Sequence, residues 1–518
     1  MRTAKRILLI ALSVLMTLGA LSLGGCAAPS NRFYEGEALA YYNGLMAQGF
    51  PESYAEELTE LHLLHPNWSF EPLLISSTNA DFTWDYVIER ETEDPSTNLI
   101  APTKAYAAYR NTSNFTTYDS GYYQASVEAV EYFMDPRGFF NETDIFQFFD
   151  LSSVGGNTLQ AVEAVVRGTF MEGTVLENGL TYAQNFVLIG EAVGIHPVYL
   201  AVKVYQEQGA SGSSPLVSGD CGDVLWRFYQ NKIEKTSSGA EVILPESANR
   251  EELLALNGYY NLMNVGAHGK GVFSIYQNAM VRAMRGSEEM SAAWGGSGAW
   301  DTVWKSIWGG ALLLRNDYID RYQSTVYLQK FNVDGRSGRN FWGQYMQNVA
   351  GALIEARSFY QALANVGALD APCSFLIPVY EDMPKKASPD PAGGECAYLR
   401  STDQKYGYSF SLRTPSSERV ANEPLYLQYD LHPGERLSLN GYAEHDYGIR
   451  ALEYSLDGGA WQSLDATGRF DLEISTALLG AGEHILIIRG VAKYDGSNSE
   501  RKSNCYFLGA VLYLTVKA

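Results

Sequence analysis

The chain has 518 residues, of which 46% are hydrophobic and 13% are aromatic, so it has enough apolar material for several packed domains and wholesale disorder is excluded. Asp and Glu number 59 against 38 Lys and Arg, which gives a net charge of −21. This balance argues against a nucleic-acid-binding protein, because neutralising phosphates requires a basic face. The composition fits a large, acidic globular protein.

The N-terminus has the features of an export signal. Three basic residues within the first six positions precede an apolar run that ends at residue 23. The sequence Leu-Gly-Gly-Cys at 23–26 resembles a lipobox, in which the cysteine is lipidated and the signal is cut ahead of it. We therefore expect a signal peptide over 1–25, lipidation of Cys26, a tether over 26–32 and a location on the extracellular face of a bacterial membrane. A plain signal peptide or a single membrane anchor is the alternative.

The remaining cysteines do not define a metal site. Apart from the lipobox residue they are Cys221, Cys373, Cys396 and Cys505, and four cysteines permit three pairings among which sequence cannot choose. Disulfides and free thiols are both compatible with the sequence. No C-x-x-C spacing or His cluster suggests zinc, and neither a metal nor an organic cofactor is expected.

Helical patterning dominates the chain after the tether. In residues 54–64, leucines recur at three-to-four-residue spacing, and Pro66 then ends the predicted helix. A glycine-containing break follows at 153–157, and helical patterning resumes beyond it. We predict an α-helical N-terminal region over 33–154 and an α-rich domain over 155–384.

The C-terminal part changes to the two-residue period of β-strands. A Pro/Gly/Ser-rich linker is predicted over 385–397, followed by an all-β sandwich over 398–518. Alternating residues at 452–456 precede an Asp-Gly turn at 457–458, and a second strand is predicted over 484–491. This part resembles the Ig-like modules of bacterial surface proteins. Its ligand, a surface protein or a wall component, is left open by the sequence.

One predicted helix carries a carboxylate suited to acid catalysis. Pro197 fits its first turn and Gly209 its C-terminal cap, and Glu207 lies on the same stripe as two aliphatic residues one and two turns earlier. Desolvation and the negative end of the helix dipole should both raise the pKa of Glu207, although Lys203 one turn back would oppose this. A carboxyl group with a raised pKa is what a general acid for glycosidic cleavage requires. The alternative is a surface glutamate near a helix end.

Three long segments resemble the peptidoglycan N-acetylglucosaminidases of glycoside hydrolase family 73. They are AVKVYQEQG at 201–209, GYYNLMNVGA at 258–267, and the stretch from SIWGG to YLQKFNV at 306–333, and the resemblance extends over about 33–384. It implies a multidomain protein whose catalytic domain has a lysozyme-like α+β fold, with an α-rich lobe that holds the acid and a small β-lobe. It also implies hydrolysis of the β-1,4 bond after N-acetylglucosamine in peptidoglycan glycan strands.

The resemblance assigns roles to particular residues. Glu207 becomes the general acid, and Tyr327 matches a tyrosine that faces the acid across the cleft, with Tyr318 as a substitute. Tyr327 could instead belong to the core. No role is assigned to Gly343, which stands where related sequences would have His.

Sugar binding is implied for residues on either side of the cleft. Gln206 follows from its place beside the acid, and Tyr260, Asn261 and Asn264 correspond to an asparagine-rich floor whose amides can bond sugar hydroxyls and N-acetyl groups. The two asparagines could instead cap turns.

The second catalytic group is left open. The small β-lobe is expected between residues 221 and 258. Acidic residues in or beside this interval are Asp220, Asp223, Glu234 and Glu241. A glycosidase with one protein carboxyl can use the N-acetyl oxygen of the substrate or an activated water, so retention and inversion are both possible. A second reading of the whole chain is a catalytically inactive surface lipoprotein that binds glycan.

Overall fold

The structure, a computed structural model, describes residues 32–118, 121–152, 158–237, 239–294, 297–364, 367–392, 408–414, 418–445, 448–465, 467–494 and 503–517. These residues form a mixed α+β protein with an α-rich part up to residue 392 and a sheet-rich C-terminal part. The predicted signal peptide, the lipidation site Cys26, the break at 153–157 and the end of the predicted linker lie outside the described residues.

The α-rich part is built from helices joined mostly by short turns. The α-helices of the described ranges are α1 (Gly36–Gln48), α2 (Glu52–Leu64), α3 (Ile75–Thr78), α4 (Trp84–Glu93), α5 (Val127–Met134), α6 (Thr158–Val166), α7 (Tyr182–Val193), α8 (Pro197–Gln208), α9 (Pro215–Ser218), α10 (Cys221–Gln230), α11 (Arg250–Leu254), α12 (Gly271–Arg285), α13 (Glu288–Trp294), α14 (Val303–Asp317), α15 (Val326–Phe331) and α16 (Gly351–Ala364). Short 3₁₀ helices add Lys104–Tyr109, Pro136–Phe139, Asp144–Phe148, Ile319–Arg321 and Gly335–Ser337. The helix predicted over 54–64 is confirmed as α2.

The strands fall into two groups. In the α-rich part they are β1 (Trp68–Leu74), β2 (Leu99–Ile100), β3 (Tyr123–Gln124) and β4 (Cys373–Val379). In the C-terminal part they are β5 (Tyr408–Arg413), β6 (Glu418–Ala421), β7 (Leu425–Leu431), β8 (Arg436–His445), β9 (Ile449–Leu456), β10 (Gln462–Asp465), β11 (Arg469–Ser475), β12 (Gly482–Tyr494) and β13 (Ser503–Val516).

The two halves of the α-rich part share one hydrophobic core. Strand β1 pairs in parallel with β4, from Trp68 opposite Cys373 to Leu74 opposite Val379. The core around this pair contains buried residues from Leu45 through to Tyr380. The predicted boundary between residues 154 and 155 is therefore not a boundary between hydrophobic cores, and the region predicted as helical also contributes three strands.

The small β-lobe expected between residues 221 and 258 is not formed by the described residues. Helices α10 and α11 occupy much of this interval and pack together around a satellite core. The β pairing that the described residues show there is one isolated bridge between Lys235 and Glu241. The amphipathic pattern of α10, with Val224, Leu225 and Phe228 buried, explains why this stretch is helical.

The C-terminal part consists of two packed sheets. The strand orders are β10-β9-β12-β13-β7 and β11-β8-β5-β6, with β13 and β7 parallel and the other pairs antiparallel. The predicted hairpin is confirmed between β9 and β10, and its turn places Asp457 and Gly458 at φ of 51° and 67°. The predicted strand over 484–491 lies within β12. An Ig-like relationship remains a prediction.

A buried arginine joins the sandwich to the α-rich part. The guanidinium of Arg489, on β12, makes two 3.0 Å hydrogen bonds to the carboxylate of Asp370 and a 2.8 Å bond to Glu453. It also lies 3.8 Å from the ring centre of Trp461. Paired, bidentate bonding of this kind is the arrangement in which a buried guanidinium is tolerated.

The first residues of the predicted linker are docked on the α-rich part. The backbone N–H of Ser388 donates to Asp135 at 2.8 Å, and Asp390 accepts a 2.6 Å bond from the hydroxyl of Tyr109. Arg137 donates to the carbonyl oxygens of Pro384 and Lys386. Residues 385–392 of the predicted linker therefore pack against the α-rich part.

Two buried thiols are free. Cys221 and Cys373 have no disulfide partner, and burial raises the pKa of each thiol to about 12. Both are therefore neutral and unreactive at physiological pH. Within the described ranges, every helix falls short of the length and apolar character that a membrane span requires.

Trp68 tests the β1–β4 core. Its side chain is 1% exposed, its indole N–H donates to the carbonyl of Leu369 at 2.7 Å, and its ring contacts Phe146 and Phe375. We expect Trp68→Ala to lower the free energy of unfolding of the α-rich part by about 3–5 kcal/mol, in urea denaturation followed by circular dichroism. Phe115→Ala, at a side chain that is 77% exposed, should change it by less than about 0.5 kcal/mol. Equal free energies of unfolding for the two variants would contradict the assignment of Trp68 to this core.

Candidate active site

The helix α8 is buried except at its C-terminal end. Pro197 occupies its first turn, and residues 197–204 are all buried against neighbouring helices. Gly209 ends the helix with φ of 66°, a conformation that favours glycine. In the last turn, Gln206 is exposed, Glu207 is half-buried and Gln208 is buried. The predicted helix is confirmed, and its one polar end brings Glu207 to the protein surface.

The carboxylate of Glu207 is held on one side by Asn264. The Asn264 amide donates to Oε2 of Glu207 at 2.7 Å, and its own oxygen accepts a 2.8 Å bond from the side chain of Gln208. Gln208 also donates to the backbone carbonyl of Leu262 at 2.9 Å. Asn264 has φ of 50°, a left-handed conformation that asparagine tolerates better than most residues. The orientation of the Asn264 amide is thus fixed, with its N–H group toward the acid.

Tyr345 faces the other oxygen of the same carboxylate. Its hydroxyl lies 3.5 Å from Oε1 of Glu207, and its ring covers the ammonium of Lys203 at 3.8 Å from the ring centre. The Lys203 ammonium is 2.6 Å from Oε1 of Glu355, on α16. Burial raises the pKa of Tyr345 to about 12, so the hydroxyl keeps its proton at physiological pH.

The environment favours the protonated form of Glu207. Burial raises the pKa of this carboxyl above its ordinary value, and the negative charge of Glu355 adds to the rise. The positive charge of Lys203 and the hydrogen bond from Asn264 act in the opposite direction without cancelling it. Although burial opposes its charge, Lys203 keeps a pKa well above the usual range because Glu355 pairs with it. The arrangement can therefore deliver a proton to a ligand that reaches Glu207.

Tyr327 is not the tyrosine that faces Glu207. It is fully buried, and its hydroxyl is 2.6 Å from the carbonyl oxygen of Met134 and 2.6 Å from the hydroxyl of Tyr380. All six residues of α15 are buried, so Tyr327 belongs to the core, and Tyr345 takes the place that was expected for it. The substitute Tyr318 lies edge-on to the Tyr345 ring at 5.3 Å between ring centres.

Asn261 is a structural residue. Its side chain is fully buried, donates to the carbonyls of Val265 and Ala279 at 2.8 Å, and accepts a 2.9 Å bond from the Val265 N–H. The expectation that Asn261 binds sugar is therefore replaced by a role in closing the turn that carries Asn264. Tyr260 is half-buried, with its backbone N–H bonded to the carbonyl of Trp300.

Tyr345 was missed by the sequence analysis although its segment was considered. It lies two residues after Gly343, the position at which related sequences would have His and to which no role was assigned. Gly343 is closely packed, since a Cβ atom there would lie 3.0 Å from Cβ of Arg339. The presence of a tyrosine so close to that position was the sequence feature that could have identified Tyr345.

Two of the acids considered as a second catalytic group form hydrogen bonds with other side chains. Asp223 accepts a 2.8 Å bond from Asn257, and Asp220 accepts a bond from Ser218. The carboxylate whose charge reaches Glu207 is instead that of Glu355, which is paired with Lys203. Among the described residues, no cluster of three or more His, Cys, Asp or Glu side chains is arranged to hold a metal ion.

The chain is weakly similar to staphylococcal autolysins. No protein-family model matches the sequence. A bifunctional autolysin of Staphylococcus epidermidis (strain ATCC 12228) is 23% identical over 261 residues, which is 50% of this chain and 15% of that protein. The same values hold for the bifunctional autolysin of strain ATCC 35984. This chain therefore spans only a small part of the length of these relatives.

A solved structure is also similar. The crystal structure of autolysin E of S. aureus has a TM-score of 0.34 and 15% sequence identity, and the match covers 59% of this chain and 96% of that chain.

Glu207→Gln tests the electrostatics of the site through stability. Because the native state holds the Glu207 proton to higher pH than the unfolded chain does, ionisation removes native-state stability as the pH rises from the unfolded pKa through the folded one. Glutamine cannot ionise, so the variant should melt at a higher temperature than the wild type at pH 7–8. The difference should disappear below about pH 4, near the unfolded-state pKa. Glu191→Gln, at an exposed position on α7, is the matched control. A Glu207→Gln difference that does not grow with pH would contradict this account.

Proposed function

We propose that this protein is a cell-wall hydrolase, a glycoside hydrolase that cleaves the β-1,4 bond after N-acetylglucosamine in peptidoglycan glycan strands. The observation that carries the proposal is the half-buried carboxyl of Glu207, held between Asn264 and Tyr345 at the open end of a buried helix. The resemblance to the family 73 glucosaminidases and the weak similarity to staphylococcal autolysins point the same way.

Glu207 acts as the general acid in this proposal. Glycosidic cleavage needs a proton on the oxygen of the leaving sugar as positive charge develops on the ring of the other. A carboxyl with a raised pKa keeps its proton to a higher pH than an ordinary carboxyl does and releases it when the bond breaks. After transfer, the Asn264 hydrogen bond and the nearby Lys203 charge stabilise the carboxylate that remains.

Tyr345 and Asn264 hold the acid in place from its two sides. Tyr345 stays neutral, so its hydroxyl can donate either to Glu207 or to a polar group of the sugar beside it. Attack on the opposite face of the sugar is assigned to the substrate's own N-acetyl oxygen or to a water molecule, and both stereochemical outcomes stay open. The reaction requires protonation and water, without a metal or organic cofactor.

The remaining parts of the proposal concern location and architecture. We assign the α-rich part a lysozyme-like catalytic fold and the C-terminal sandwich an Ig-like fold that binds a surface protein or a wall component. The lipobox-like Cys26 would carry lipid and hold the enzyme on the extracellular face of the bacterial membrane. Gln206 and Tyr260 remain candidates for sugar binding, since neither side chain is fully buried.

The first functional test is a gel that contains bacterial cell walls. Renatured wild-type protein should clear the gel, and Glu207→Gln should reduce clearing at least about a thousandfold, because the amide cannot deliver a proton. Glu191→Gln should clear the gel like the wild type. Circular dichroism and melting temperature verify that the variants are folded. Full clearing by folded Glu207→Gln would remove this residue from its role.

Mass spectrometry of the digested wall identifies the bond that is cut. A new reducing end on N-acetylglucosamine supports the proposal, whereas one on N-acetylmuramic acid would make the protein a muramidase. Wall binding in a pull-down without new reducing ends would instead support a catalytically inactive glycan-binding lipoprotein.

Two tyrosine variants separate the site from the core. Tyr345→Phe removes the hydroxyl beside Glu207 and should lower the rate of glycan hydrolysis by about 10–100-fold with little change in stability. Tyr327→Phe removes a buried hydroxyl that bonds Met134 and Tyr380, so it should cost about 1–3 kcal/mol of folding free energy and leave the rate near that of the wild type. The opposite pattern in hydrolysis and urea denaturation would restore Tyr327 as the active-site tyrosine.

A further inference from the structure

An open cleft of about 540 Å³ lies on the Tyr345 side of the candidate active site. One wall consists of the end of α4 and the following turn, within residues 90–97, and the other is the segment 340–347. Tyr345 lines this cleft and its hydroxyl also contacts Glu207, so the cleft and the candidate active site share this residue. The volume is in the range of small-ligand sites in proteins.

The cleft presents an exposed indole. Trp342 is 74% exposed, although tryptophan is buried on average in folded proteins. The residue before it, Phe341, has φ of 63°, which is costly for an aromatic residue and persists only where the surroundings fix it. The Phe341 ring is packed against Phe82, with ring centres 5.1 Å apart, and lies 5.8 Å from the guanidinium of Arg90. Packing of the Phe341 ring thus anchors the strained turn, while the next residue, Trp342, stays exposed at the surface.

A buried polar network fixes the same segment from behind. The side chain of Gln344 donates to Glu91 at 2.7 Å and accepts a 2.8 Å bond from the ammonium of Lys330. Asn98 donates to the other oxygen of Glu91 at 2.8 Å. Glu91 and Lys330 are both fully buried, and the side chain of Gln344 bridges them. These hydrogen bonds hold the side chain of Gln344 in the interior, and they thereby fix the position of the neighbouring Tyr345.

The polar groups of the cleft suit an uncharged, hydroxyl-rich ligand. Asp94 accepts bonds from the backbone N–H and hydroxyl of Ser96, which fix its carboxylate at the turn after α4. The positive charge of Arg90 is paired with Glu93, so the wall as a whole does not attract anions. A sugar ring offers hydroxyl donors to carboxylates and an apolar face to an indole.

We infer that this cleft is a sugar-binding subsite, in which Trp342 carries the ring of an N-acetylhexosamine residue of the glycan strand next to the bond at Glu207. The subsite is built jointly by residues 90–97 and 340–347, so the N-terminal region forms part of the substrate groove. The inference rests on the proposed function for the identity of the polymer.

The test measures binding separately from hydrolysis. In the Glu207→Gln background, the Kd of a soluble tetramer of β-1,4-linked N-acetylglucosamine is measured by calorimetry and by tryptophan fluorescence. Trp342→Ala should weaken binding by about tenfold, and Trp342→Tyr should restore most of the affinity because it keeps an aromatic face. The matched control is Phe115→Ala, which removes another exposed aromatic ring that lies outside the cleft.

The outcomes distinguish this inference from the proposed function. Tetramer binding that depends on Trp342 supports the subsite even if the wild-type protein releases no reducing ends from cell walls, in which case the hydrolase proposal fails alone. Wall hydrolysis by the wild type together with equal Kd values for Trp342→Ala and Phe115→Ala overturns the subsite alone. The absence of any tetramer binding also overturns it.

Discussion

The parallel pairing of β1 with β4 is the constraint on which the α-rich part depends. It joins residues 68–74 to residues 373–379 and closes one hydrophobic core around elements that are far apart in the sequence. The turn after α4 lies opposite the segment 340–347, and the two form one cleft. Because the N-terminal region supplies a large part of this core, it is part of the same folding unit as α8.

Helix α8 combines two requirements that normally conflict. Its first two turns are buried on all sides, which stabilises the core, while its last turn must place a carboxyl where a ligand can reach it. In the structure, the carboxyl of Glu207 is surrounded by groups that shift its pKa in opposite directions. Burial favours the protonated acid, and Asn264 together with Lys203 keeps the ionised form accessible. A carboxyl whose pKa is raised is suited to proton transfer, but its ionisation in a buried setting costs stability.

Local patterns in the sequence predicted those elements of the structure that are determined by interactions between residues close in the sequence. Proline at the start and glycine at the end of α8 defined its length, and the alternating period of two identified β9 and β12. The β1–β4 pair could not be predicted, because a parallel contact between distant segments leaves no local signal. Asn261 and Asn264 lie three residues apart in one motif, and only the backbone conformation decides which amide turns inward. The sequence placed Tyr327 in the site and did not consider Tyr345, because which tyrosine hydroxyl is buried in the core depends on the folded structure.

The start of the described chain is bound at the seam between the sandwich and the α-rich part. Arg32 pairs with three glutamates of α2, and the carbonyl of Phe33 accepts a bond from Tyr513 on β13 while its ring packs against Tyr426 on β7. A mechanical pull on residue 32 would therefore act on this seam first, and the tension would be divided between α2 and the sheet before it reached α8.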